Sequence, residues 1–161
     1  MVEEQDPQGP DEQRDETEAE REDRKWEDML QELRVLQTSA QLTAGFLLTL
    51  PFQQRFADLT RNQERFYLLL VVLAALVTAL VLAPVAIHRR LSGEQVKARV
   101  VKAGHLMMQL ALMSLALLVT GTVTFIFDVL VDLTAALVAG GALAVVLVGL
   151  LLVLPRALVT R

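Results

Sequence analysis

Four polar side chains share one side of a predicted helix that otherwise lies in apolar sequence. Residues 31–45 read QELRVLQTSAQLTAG, and the apolar run FLLTLPF follows them. At about 100° per residue, one stripe about 120° wide on this helix holds Arg34, Gln37, Thr38 and Gln41. Amide, hydroxyl and guanidinium groups in this pattern could bind a ligand, line a hydrated path or hydrogen-bond to another helix.

A second polar face is predicted further along the chain. On one side of that helix lie His105, Gln109 and Thr120. An amide left unpaired in hydrocarbon costs several kcal/mol, so each polar face needs a partner, and we expect the two faces to meet. They would then pack as hydrogen-bonding surfaces between the first and third helices. The alternative is a hydrated path or ligand cavity between the same two helices.

Two acidic residues, Asp128 and Asp132, lie four positions apart near the end of the third predicted helix. On a continuous helix they would share a face, and two carboxylates at the outer membrane boundary could concentrate cations. Helix termination and solvation explain the same residues equally well. The spacing leaves both readings open.

Motifs that would indicate catalysis are missing from the sequence. It contains no HExxH, no GxGxxG, no GKS or GKT phosphate loop, and no cysteine. His88 and His105 flank one basic connection that contains Glu94. The three could form a metal site or a pH-sensitive contact, but they lack the fixed spacing of a metal site and are better explained as ordinary interfacial residues. We therefore expect no enzymatic activity, no metal and no cofactor.

The polar side chains above lie in or beside long apolar stretches, and 53% of all residues are hydrophobic. Residues 66–87 and 133–154 each give 22 positions without a charge, or about 33 Å of helix, which suffices to cross a bilayer. Residues 106–127 are uncharged as well. The prediction is an all-α, integral membrane four-helix bundle with helices at about 30–52, 66–87, 104–128 and 133–154.

Charge divides the chain into an acidic tail and a basic body. The first 32 residues hold 14 acidic and 4 basic side chains, a net charge of −10, and the remainder carries +6. Residues 1–25 have almost nothing apolar to bury, so we expect a disordered acidic cytoplasmic tail that becomes helical from about Glu16. Residues 26–161 then form the transmembrane domain.

Basic residues also predict the orientation. Only 3 of the 15 lie in the connection between the first and second helices, and the other 12 lie in the N-terminal segment, the connection after helix 2 and the C-terminal end. Basic segments stay in the cytoplasm, so both termini are expected there, in a protein of the plasma membrane. The aromatic residues expected at the outer boundary are Phe52, Phe56, Phe66 and Tyr67.

Small residues at a spacing of four occur in two of the predicted helices. One set is Ala75, Ala79 and Ala83, and the other is Ala136, Gly140 and Ala144. Such ridges let helix backbones approach closely. Packing within one chain and packing between two copies explain them equally well.

Three blocks, ELRVLQTSAQ, FLLTLPFQQRF and APVAIHRRL, resemble successive blocks of an uncharacterised, mainly actinobacterial family of small multi-pass membrane proteins with a domain of unknown function. The resemblance covers roughly residues 28–130 and implies sodium:proton antiport as a candidate activity. The residues that match by position are Glu32, Arg34, Gln37, Thr38, Gln41, Pro51, Phe52, Arg55, Phe56, Pro84, His88 and Arg89. Cation exchange generally needs an ionisable side chain within the membrane, and none follows Arg34 in the first span or occurs in the uncharged stretches 66–87, 106–127 and 133–154.

The sequence therefore favours a non-enzymatic accessory or scaffold protein of the membrane. The alternative is a small cation/proton transporter or channel that uses the polar face between helices 1 and 3. The expected partners are the lipid bilayer and either a second copy or another membrane protein. No feature of the sequence indicates nucleic-acid binding.

Overall fold

The computed structural model describes residues 18–91 and 97–159, and within these ranges every long element is an α-helix. The elements are α1 (Glu18–Thr49), 3₁₀ turns at Leu50–Phe52 and Gln54–Asp58, α2 (Arg61–Leu91), α3 (Lys97–Leu130) and α4 (Leu133–Val148). A π-helical turn at Gly149–Val153 continues α4 into a last helical segment, Leu154–Val159. The predicted four-helix, all-α fold is confirmed.

The first helix begins earlier than its apolar sequence does. It starts at Glu18, so residues 18–25 of the acidic tail are helical, close to the helical start expected at about Glu16, and residues 1–17 lie outside the described ranges. Strong helix formers such as glutamate and arginine fill this first part. Pro51 lies in the 3₁₀ turn directly after α1, where it cannot continue the α-helical hydrogen bonding.

One apolar stripe of α1 is buried along almost its whole apolar length. It consists of Met29, Leu33, Leu36, Ala40 and Leu47. Because these residues recur at helical spacing, they form a single face that packs against both α2 and α3. From Met29 to Leu47 this face extends about 27 Å along the axis.

Helices α1, α2 and α3 pack against one another around this core, and α4 lies outside them. Within the described residues, α4 packs only against α3 and touches neither α1 nor α2. Ala136 and Gly140 are buried in that contact. The ridge containing them thus serves packing within the chain, whereas Ala75 and Ala79 of the α2 ridge are exposed. The arrangement is a three-helix core with one outer helix rather than a symmetrical four-helix bundle.

Glycine allows two close approaches around α3. A Cβ at Gly140 would overlap Oγ1 of Thr124, so the α3 and α4 backbones meet more closely there than any side chain on α4 permits. A Cβ at Gly121 would lie 2.6 Å from Cδ2 of Leu70 on α2. Both glycines therefore set the distance between helices.

Candidate interaction surface on the first helix

The polar stripe of α1 faces away from the rest of the protein. Arg34, Gln37, Thr38 and Gln41 are all exposed, and the buried stripe is centred about 130° around the helix from them. The expectation that this stripe packs against α3 is wrong. The apolar stripe is the side of α1 buried against α2 and α3, because burying leucine and alanine leaves no amide without a partner.

Hydroxyl groups on α1 are satisfied within the helix, whereas the two amides are not. Thr38 Oγ1 donates to the carbonyl of Arg34 at 3.0 Å, and Thr43 Oγ1 donates to that of Ser39 at 3.0 Å. Within the described part of the chain, the side chains of Gln37 and Gln41 form no hydrogen bond. The amides thus have both donor and acceptor capacity to spare on this surface.

The second polar face does not meet the first. Gln109 is exposed and lines an open groove of about 310 Å³ between α1 and α3, beside Glu32 and Val35. Its neighbour on the wheel, Thr120, donates to the carbonyl of Ala116 at 2.8 Å and lines a separate, apolar groove between α3 and α4. His105 belongs to α3, and its side chain lies outside the described structure.

The buried core between the helices is apolar in the part of the chain that the structure describes. None of the side chains buried there is polar or charged apart from Tyr67, whose ring belongs to the core. Both grooves lie between neighbouring helices and open to the outside of the bundle. The structure therefore brings together Arg34, Gln37, Thr38 and Gln41 on one surface and separates them from Gln109 and Thr120.

The depth of this surface follows from the contact between α1 and α2. Tyr67, near the start of α2, donates its hydroxyl to the carbonyl of Leu47, near the end of α1, at 3.0 Å. From this point the two helices run side by side in opposite directions. Gln41 lies six residues, or about 9 Å, from Leu47 along the axis, and is therefore level with the apolar middle of α2.

Two of the aromatic residues expected at the outer boundary, Phe56 and Tyr67, pack into the core with Phe125. Tyr67 is only 4% exposed. Its ring packs edge-on against Phe56 at 5.0 Å between centroids and lies 6.0 Å from Phe125. Phe52, by contrast, is 87% exposed, as expected of an interfacial residue. The cluster fixes the ends of α1 and α2 against α3.

A capping residue missed by sequence reasoning links two helices at this same end. Thr60 and Gln63 form a capping box in which the Thr60 backbone N–H donates to Oε1 of Gln63 at 3.0 Å. Nε2 of Gln63 then donates to the carbonyl of Asp128 at 3.3 Å. The Thr-x-x-Gln spacing before an apolar run is the sequence signal that could have identified it.

The two aspartates have different positions and do not share a helix face. Asp128 lies in the last turn of α3 and is half-buried, whereas Asp132 lies beyond the end of that helix. The Asp132 carboxylate accepts a hydrogen bond from the backbone N–H of Ala135 at 2.7 Å and so caps the start of α4. The helix-termination reading holds for Asp132.

Three of the four helices are long and apolar enough to cross a membrane, over Arg61–Pro84, Leu106–Leu130 and Leu133–Val153. These three helices, with α1 packed against α2 and α3, are those of a membrane protein. The chain belongs to a protein family of unknown function, DUF6328, which matches residues 15–155. This match extends beyond residues 28–130, which the resemblance covered, and includes α4. Comparison with curated proteins and with solved structures gives no match.

Proposed function

We propose that this protein is a non-enzymatic scaffold or accessory protein of the membrane, which binds another transmembrane segment through the polar stripe of α1. The observation that supports the proposal is the exposure of Gln37 and Gln41 beside helices that can cross the membrane. An amide facing hydrocarbon costs several kcal/mol. A second protein segment that offers hydrogen bonds removes this cost, and lipid chains do not.

Transport is less well supported than binding. A transporter generally holds an ionisable group or a hydrated cavity at the middle of the membrane. The described core contains no buried charge, and residues 66–87, 106–127 and 133–154 contain no Asp, Glu, Lys, Arg or His. The groove beside Gln109 is open rather than enclosed and is lined mainly by apolar residues of α1 and α3.

We further propose that α1 crosses the plasma membrane with the other three helices, so that both termini are cytoplasmic. The supporting observations are the concentration of 12 of the 15 basic residues on one predicted side and the packing of α1 along α2 and α3. Basic segments are retained in the cytoplasm. Reporter fusions at the two termini test this orientation.

A photoreactive amino acid introduced at Gln37 tests the binding function in native membranes. We expect irradiation to attach another polypeptide at this position, because the proposed partner covers the stripe. The control is the same substitution at Leu76, which is 50% exposed on α2 at a similar distance from the Tyr67 contact, and which should attach lipid. A Gln37 variant that attaches only lipid, as the Leu76 variant does, would contradict the proposal.

A further inference from the structure

Seven exposed residues of α1 follow the spacing of a coiled-coil seam. The intervals between them alternate between four and three residues, and we call them the outer stripe: Glu27, Gln31, Arg34, Thr38, Gln41, Gly45 and Leu48. This alternation keeps residues on one line along a helix that pairs with another helix. The outer stripe lies on a different side of α1 from the buried stripe, so both sides have the pattern of a helix contact.

The chemistry of the outer stripe is complementary to itself. A glutamine amide both donates and accepts hydrogen bonds, so two glutamines at the same depth satisfy each other. Two copies of one chain inserted in the same orientation place Gln41 at the same depth. A twofold axis along the membrane normal then brings each residue near its counterpart.

Space for a second helix is available next to Gln41. A Cβ at Gly45, one turn further on, would have no atom within 4 Å, so the backbone of α1 is uncovered there. Glycine at an exposed position of a membrane helix lets a partner backbone approach closely. Leu48, 59% exposed, extends the same surface by another turn.

We propose that two copies of the chain pair through the outer stripe of α1, with the helices crossing at Gly45 and the Gln41 amides hydrogen-bonded across the contact. This inference rests on the proposed function and names a second copy as the partner. Arg34 lies 11 residues from Gly45, or about 16 Å along the axis. The long Arg34 side chains of the two copies extend outward from the seam to the aqueous boundary, which keeps the two guanidinium groups apart.

Disulfide trapping tests this pairing directly, because the chain contains no cysteine. Thr38→Cys and Leu48→Cys, made singly in the full chain, should each give a disulfide-linked dimer when membranes are oxidised, since a disulfide requires Cβ atoms about 4 Å apart. Phe46→Cys is the matched control. Phe46 is 72% exposed and two residues from Leu48, but it lies on another side of the helix. It should remain monomeric.

A double variant tests the hydrogen bonds between the two Gln41 amides. Adding Gln41→Leu to Leu48→Cys should lower the yield of dimer several-fold, because the hydrogen bonds across the contact are lost. An unchanged yield would overturn the role given to Gln41. All of these positions are exposed, so no packing within the chain changes with them.

Other outcomes of the cross-linking distinguish a failure of the proposed pairing from a failure of the proposed function. A stripe cysteine linked to a different protein would overturn the second copy as partner and leave the scaffold function standing. Equal dimer yields from Phe46→Cys and Leu48→Cys, which indicate random collision, would overturn the pairing. An absence of any cross-link at Thr38 and Leu48, together with lipid alone on the photoreactive Gln37 variant, would overturn both proposals.

Discussion

Replacement of Gly140 by leucine is expected to separate α4 from α3 while α1, α2 and α3 stay packed. A Cβ at this position would overlap Oγ1 of Thr124. That oxygen is held in place by its own hydrogen bond to the carbonyl of Thr120, at 2.9 Å. Since α4 has no contact with α1 or α2 among the described residues, no second helix would retain it.

The neighbouring residue provides a matched control for this prediction. Gly141 is exposed, and a Cβ there would have no atom within 4 Å, so Gly141→Leu should behave as the unmodified protein does. Overpacking typically costs about 1–3 kcal/mol, and we expect Gly140→Leu to lower the thermal midpoint in mild detergent and to speed proteolysis of α4. Equal midpoints and proteolysis rates for the two variants would contradict the close contact between α3 and α4.

The position of α1 predicts an all-or-none result for reporters of membrane topology. A reporter placed before Met1 and one placed after Arg161 should both be active in the cytoplasm, and one fused after Leu130 should be active outside. If α1 did not cross, the basic connection between α2 and α3 would still keep the reporter after Leu130 outside and the reporter after Arg161 in the cytoplasm. The N-terminal reporter alone would then change sides, so its reading decides whether α1 crosses.

Much of the fold follows from the sequence because apolar length and helix periodicity are local properties. The three long uncharged stretches became α2, α3 and α4, and the ridge of Ala136 and Gly140 packs as small residues in membrane helices do. Helix bounds were less predictable. The α1 start at Glu18 depends on helix propensity in charged sequence rather than on hydropathy.

The side of α1 that contacts the other helices could not be predicted from its periodicity. A helical wheel gives the angle between two stripes, but it does not say which stripe touches the neighbouring helices. Leu33, Leu36 and Ala40 form one stripe and the polar residues form another, and each has a reason to be covered in a membrane. The structure assigns the apolar stripe to the core and leaves the polar one exposed.

End effects account for the remaining errors at the candidate site. Asp128 and Asp132 share a face only if one helix runs through both, and α3 ends between them, at Leu130. Tyrosine is a residue type typical of membrane interfaces, but the hydroxyl of Tyr67 donates a hydrogen bond to the carbonyl of Leu47, and this bond forms only when α1 and α2 have packed. Contacts of this kind depend on tertiary structure, which no local pattern records.

The central claim is that the polar stripe of α1 lies within the membrane and is covered by protein. Spin labels at Thr38 and Phe46, examined by electron paramagnetic resonance in lipid vesicles, test it most directly. The account predicts that a Thr38 label is shielded from both dissolved oxygen and an aqueous nickel reagent, whereas a Phe46 label is open to oxygen alone. A Thr38 label that is as open to oxygen as the Phe46 label, or as open to nickel as a label at the exposed loop residue Gln54, would contradict it.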